Sequence, residues 1–305
     1  MNVAICLLLY GIVLAWMSPP LLTRFTRSGH NPRLSVTVWL TTIALAIGAW
    51  VVAAGGMVGA LLGEHPAAPV QYCMNMLLAL HHFGWAGDLT LGVASAAALA
   101  CSFIVARRLV NALRRFWSRS REHANAAHIL GARTERPGVV LVTADKAAAY
   151  CVAGRPDAIV VTTGATAMLT EPELAAVLAH EQAHLTGRHP QLMMLLRALA
   201  SAMPRLPLFP AAVEAVGRLV EMCADDNAAR RHGPDALLCG LVALASPPTA
   251  GGVALGASDT AVVARAARLA VPARWGARLG ERLVLTAILS SVVVAPAIIT
   301  LICHS

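Results

Sequence analysis

Long stretches with almost no charge alternate along this chain with a central segment in which apolar and polar residues recur at short period. Four apolar runs, roughly residues 3–22, 36–62, 89–105 and 283–301, each approach the ~20 residues that a helix needs to cross hydrocarbon. The first run has no basic segment before it and no small-residue cleavage site. It carries Pro19 and Pro20 near its end and is followed by arginine, so it reads as a retained span rather than a removable signal peptide.

Between the third and fourth runs the pattern changes. Residues 139–143, 147–152 and 158–162 are rich in Val, Ile and Thr and are separated by turn signals such as Gly154-Arg155-Pro156-Asp157, which predicts a small antiparallel sheet. After Thr163-Gly164 the periodicity becomes helical to about Arg231, interrupted by Pro190, Pro204, Pro207 and Pro210. No internal repeat or low-complexity segment is present. The expected organisation is an N-terminal membrane region over residues 1–106 with about three spans, a mainly helical domain with a small sheet over 107–282, and a C-terminal span over 283–305: an α+β membrane protein.

Composition supports the membrane reading. Of 305 residues, 57% are hydrophobic and 13% charged, a balance rare in soluble proteins of this size. The formal net charge of +8 does not point to nucleic acid, because the arginines gather beside apolar runs without interleaved aromatics. Arg24, Arg27 and Arg33 follow the first run, while residues 63–88 contain no Lys or Arg. Arg107, Arg108, Arg114, Arg115, Arg119 and Arg121 follow the third run, and Arg265, Arg268, Arg274, Arg278 and Arg282 precede the fourth. Positive segments stay in the cytoplasm, so the central domain is expected there, and the clusters read as topology signals attracted to anionic headgroups. Met74 and Met76, in the opposite loop, read as an amphipathic patch resting on the membrane. The seven cysteines show no C-x-x-C spacing, so neither a disulfide framework nor a cysteine zinc site is expected.

The chemistry concentrates in His180-Glu181-Gln182-Ala183-His184. Thr170 and Glu173 have capping-box spacing with Pro172 in the first turn, Leu174, Val177, Leu178 and Leu185 recur at helical spacing, and Gly187 is a natural stop. On such a helix two histidines four apart share a face and can hold one tetrahedral zinc, with Glu181 within reach of water at the metal. A catalytic zinc needs a third protein ligand and an open position. Glu221, 37 residues after His184, is the expected ligand, and Asp225, one turn on, is expected to orient a ligand histidine. Gly187 also fits the longer H-E-x-x-H-x-x-G-x-x-H pattern, but the final position is Pro190. His189 is one residue off and reads as a polar residue at the helix end. Cys223, two residues from Glu221, points the wrong way to share its metal. His232, Arg230 or Arg231 are options for a donor to a developing oxyanion.

Three blocks in order, residues 158–166, residues 169–184 and Glu221-x-x-Ala-Asp225, resemble the membrane zinc metallopeptidases of antibiotic-sensing signal transducers, the BlaR/MecR type, and more distantly the HtpX and CAAX prenyl protease group. The resemblance spans about residues 138–240. It implies a gluzincin-like zincin domain, one zinc ion, and a strand before the active helix, here residues 158–162, that lines the cleft and pairs with extended substrate. The sensors carry a penicillin-binding domain after their last span; this chain ends at Ser305, so direct β-lactam sensing is not expected. The implied partners are the lipid bilayer and a protein substrate such as a transcriptional repressor, with quality control of membrane proteins as the second reading. A non-catalytic zinc-binding signalling protein would more often have lost Glu181.

Overall fold

The structure, a computed structural model, describes residues 3–61, 85–245, 257–271 and 274–304. In chain order it begins with α1 (Val3–Thr26), α2 (Pro32–Leu61) and α3 (Trp85–Leu130). A small sheet follows: β1 (Ala132–Arg133), β2 (Val139–Val142), β3 (Ala149–Val152) and β4 (Ala158–Thr162). Then come α4 (Thr163–Met168), α5 (Glu171–Thr186), α6 (His189–Ala202), α7 (Leu208–His232), α8 (Pro234–Ala245), α9 (Ala257–Ala270) and α10 (Trp275–His304). Met74 and Met76 lie outside the described residues.

Four of the described helices are long and apolar enough to cross a membrane, over Cys6–Thr26, Pro32–Gly55, Ala96–Leu130 and Trp275–Leu301. They follow the four apolar runs, with one difference. The third run does not end its helix, because residues 93–130 contain neither glycine nor proline and the chain after Val105 is rich in strong helix formers. At 1.5 Å per residue α3 is about 69 Å long, more than twice the hydrocarbon thickness. Its last turns leave the apolar run and pack Ala124 and Ala127 against Val152 and Val160 of the sheet.

The sheet order is β1-β2-β4-β3. It is mixed, not antiparallel: β3 forms an antiparallel hairpin with β4, but β2 lies on the other flank of β4 and runs parallel to it. Central β4 is buried at all five positions, as expected of a strand covered on both faces. Val160 faces α3, while Ile159 and Val161 face Leu178 of α5. The substrate edge expected at residues 158–162 is therefore corrected. Both flanks of β4 are already paired, and β3 is the strand with an open edge on the α5 side.

The largest core cluster joins α1 and α2 (Leu14, Leu22, Val38, Trp39, Ile43) to α6 and α7 (Leu196, Leu208, Phe209, Val216, Leu219). Trp39 is fully buried and donates through Nε1 to Thr26 Oγ1 at 3.2 Å. The loop between α1 and α2 is tied to α10, with the His30 amide donating to Glu281 Oε2 at 2.9 Å. The helix carrying Glu221 thus rests directly on two membrane-type helices.

Candidate metal centre

Helix α5 begins with the expected capping box, in which Glu173 Oε2 accepts the Thr170 N–H at 2.8 Å, and it ends at Gly187. Its buried face includes Ala176, His180, Ala183 and His184, so the packing that fixes the helix also fixes the direction of both imidazoles. Their Nε2 atoms lie 3.1 Å apart. Helix α7 crosses α5 and brings Glu221 to the same point, with Oε2 at 3.5 Å from His180 Nε2 and Oε1 at 3.5 Å from His184 Nε2. Ligand atoms of a tetrahedral zinc with bonds of ~2.0–2.1 Å are separated by about 3.3 Å. The two rings and the carboxylate approach this spacing, each ring meeting a different oxygen of Glu221, and one ligand atom from each of the three residues lies within 4.8 Å of the others.

The outer ring nitrogens confirm the direction. His180 Nδ1 lies 3.1 Å from Asp225 Oδ1, at ion-pair distance though not in hydrogen-bond alignment. His184 Nδ1 lies 3.0 Å from His189 Nδ1. Placing a proton on each ligand ring's Nδ1 directs both Nε2 lone pairs at the same space as the Glu221 carboxylate. Two lone pairs and a carboxylate facing one another call for a cation. The Arg265 guanidinium meets this from one edge, 3.2 Å from Glu221 Oε2 and 3.4 Å from His180 Nε2, and the donor set of two imidazoles and a carboxylate fits a divalent metal. Glu221 keeps 38% of its side chain exposed while His180 keeps 4%, which leaves one side of the triangle open to solvent and substrate.

The surroundings shift His180, Glu221 and Glu181 in different directions. For His180, burial disfavours the charged ring, but the adjacent carboxylates of Asp225 and Glu221 outweigh it and push the pKa up to about 9. Glu221 is also opposed by burial, and the two histidines together with Arg265 hold it well below the usual carboxylate range. Glu181 goes the other way: burial raises it, only partly offset by His180 and His184. Its Oε2 accepts the backbone N–H of Cys151 at 2.9 Å, which anchors Glu181 to the open edge of β3. Burial and Glu181 push the neighbouring Cys151 thiol up to about 12.

Two groups at the centre were not assigned to it from sequence. Arg265 of α9, grouped above with the topology arginines, donates from Nε to Asp225 Oδ2 at 2.8 Å and from Nη2 to Asp225 Oδ1 at 2.6 Å, with Nη1 at 3.2 Å from Glu221 Oε2. Its fork matches a carboxylate and steadies both acids of α7. His189, read as a plain helix-end residue, instead folds its ring back onto His184. The turn that allows this places Arg188 in the left-handed region (φ 52°) and needs the bare Gly187, since a Cβ there would lie 2.4 Å from His189 Nε2. Arg230, Arg231 and His232 are exposed in the last turn of α7. His232, eleven residues beyond Glu221, is roughly 16 Å away along the axis, so the structure does not bring these three to the centre.

Two histidines on one helix, a carboxylate from a second helix and a buried glutamate beside them make a group that could hold a metal ion. Residues 123–219 match the family model of peptidase family M48, consistent with the membrane zinc metallopeptidases that the three sequence blocks resemble. The matched stretch contains the sheet and all of α5 and stops two residues before Glu221, so the third carboxylate rests on its geometry. Comparison with curated proteins and with solved structures gave no match.

Proposed function

We propose that the chain is a multi-pass membrane zinc endopeptidase, with His180, His184 and Glu221 holding the metal and Glu181 as general base. The observation that carries this reading is the convergence of His180 Nε2, His184 Nε2 and the Glu221 carboxylate: the two nitrogens lie 3.1 Å apart and each lies 3.5 Å from one of the Glu221 oxygens. Zinc held there supplies Lewis acidity, making water acidic near neutral pH and polarising a carbonyl. Glu181, raised by burial, takes the proton of the attacking water on Oε1, the oxygen left open by the Cys151 N–H, and returns it to the leaving amine. Asp225 and His189 hold the two rings, and Arg265 holds Asp225. An extended substrate adds to β3 through the outward-facing groups of Ala149 and the Cys151 carbonyl, the Cys151 N–H being held by Glu181.

The arginines around the spans favour the cytoplasmic side for this site. The resemblance to antibiotic-sensing transducers favours a cytoplasmic or membrane-proximal protein substrate such as a transcriptional repressor. Cleavage of membrane proteins in quality control is the second reading, favoured by the direct packing of α7 on α1 and α2. The test is zinc content and proteolysis of the full chain in detergent. Glu181→Gln is expected to keep its zinc and lose about 10²–10⁴-fold in cleavage rate, while Glu221→Ala loses zinc. Equal cleavage by Glu181→Gln overturns the role of Glu181, and full zinc retention by Glu221→Ala overturns the third ligand.

A further inference from the structure

A cavity of about 500 Å³ lies between the end of α1 and the first half of α7. Arg24 and Arg27 line it from the α1 side and Arg218 from α7, while the small side chains of Ala211 and Ala215 leave the space between them open. Glu214 is the single acid on its wall, so three guanidinium groups face one carboxylate. It shares no residue with the metal centre.

Arg24 and Arg27 are exposed, whereas Arg218 is half-buried. Among the described residues none of the three forms an ion pair, not even with Glu214, and Arg218 Nε is buried without a hydrogen-bond acceptor. A buried donor left unmade costs about 1–3 kcal/mol, more for a charged group. That cost falls on Arg218; Arg24 and Arg27, both exposed, add two more positive charges to the lining of the same cavity, and an anion seated there meets all three. The anion that suits guanidinium forks is one with several oxygens on one centre, a phosphate.

Its place on α1 identifies the source of that phosphate. Val13, Trp16, Pro20 and Arg27 recur at three, four and seven residues, so they share one face of the helix. Val13 and Trp16 on that face are more than half exposed, as is Leu9 one turn before. The face is therefore an uncovered apolar stripe that leads into a basic cavity at the end of a membrane-type helix, where headgroups lie. An apolar stripe ending in a basic cavity of about 500 Å³, room for a phosphate together with the rest of a headgroup, matches the shape of an amphiphile.

We propose that the cavity of Arg24, Arg27 and Arg218 binds the phosphate of an anionic phospholipid whose acyl chain lies along the Leu9–Val13–Trp16 face of α1. The site rests on the membrane reading of α1 and does not depend on the peptidase assignment. Arg218 stands one turn before Glu221, so the bound headgroup also fixes the helix that carries the carboxylate.

The experiment uses the full chain in a neutral detergent, with binding of phosphatidylglycerol, phosphatidylcholine and inorganic phosphate followed by native mass spectrometry and thermal shift. Phosphatidylglycerol is expected to bind and stabilise the chain, phosphatidylcholine to do so at least about tenfold more weakly, and millimolar inorganic phosphate not to displace the lipid. Arg218→Gln and Arg24→Gln should each weaken phosphatidylglycerol about tenfold. Arg114→Gln with Arg115→Gln, exposed on α3 away from the cavity, should leave it unchanged. Glu214→Gln removes the only opposing charge and should tighten binding, a gain that misfolding cannot imitate. Equal loss in the α3 variant, or no gain with Glu214→Gln, overturns the site in favour of diffuse charge attraction. Saturation by inorganic phosphate in competition with the lipid overturns the lipid assignment.

Discussion

His180 and His184 reach the same space from consecutive turns of one helix, yet each is held by different chemistry: His180 by the carboxylate of Asp225, His184 by the ring of His189. The second arrangement depends on a residue with no side chain. Alanine at Gly187 places a methyl 2.4 Å from His189 Nε2 and 3.0 Å from the Ala183 carbonyl oxygen, so the His189 ring must leave His184. Gly187→Ala is therefore expected to weaken zinc binding about 10–100-fold, the usual cost of losing a partner of a ligand histidine, without changing any ligand. His189→Ala should do the same, and the double variant should be no worse than either single one, as measured by chelator competition. An additive double variant would show that the two positions act separately. The H-E-x-x-H pair was legible in the sequence because four-residue spacing is a property of one helix and needs no knowledge of the rest of the fold. His189 was not, because its direction is set by the left-handed turn at Arg188, where the periodicity that predicts side-chain direction stops.

At the level of elements, α9 is fastened across α7 by two arginines one turn apart. Arg265 grips Asp225, and Arg268 pairs with Asp226 at 2.8 Å while donating to the Gly29 carbonyl at 3.2 Å. The two pairs look alike but differ in solvent access: Asp225 is 1% exposed and Asp226 33%. Removing the partner of a buried charge costs about 3–5 kcal/mol, whereas a pair near the surface contributes roughly 0–1 kcal/mol. Arg265→Ala is thus expected to lower stability to denaturant in detergent by about 3 kcal/mol and Arg268→Ala by less than about 1 kcal/mol. Similar midpoints for both variants would rule out this distinction. The strands show the same limit of sequence reading. Val-rich runs marked β2 and β4, and the turn signal at Gly154-Arg155-Pro156-Asp157 bounded β3, but strand order is decided by which flank of β4 each neighbour takes, and nothing local to the sequence encodes that choice. The two residues of β1 are too few to carry a pattern. Arg265 stands 40 residues from Asp225, and only the docking of α9 brings it back.

For the whole molecule, hydropathy located the membrane-type helices but not the point at which membrane region and catalytic region separate. Residue 106, the expected boundary, falls inside the unbroken α3, and the principal core is shared, since Leu196, Leu208, Phe209, Val216 and Leu219 bury themselves against residues of α1 and α2. A charge-poor to charge-rich transition shows where a helix leaves an apolar environment, but not whether the next element packs back onto the spans. Excising residues 107–282 would uncover those five side chains, each contributing about 1.5–3 kcal/mol when buried, a loss on the order of 10 kcal/mol and comparable with the whole stability of a typical domain. The excised segment, in the same detergent as the full chain, is therefore expected to keep helical far-ultraviolet circular dichroism, lose near-ultraviolet signal, and show rapid amide exchange across α7. Since Glu221 then no longer holds its place beside His180 and His184, zinc affinity should fall with the packing. A segment that binds zinc as tightly as the full chain, with α7 amides equally protected, would establish that the metal centre is built independently of α1 and α2.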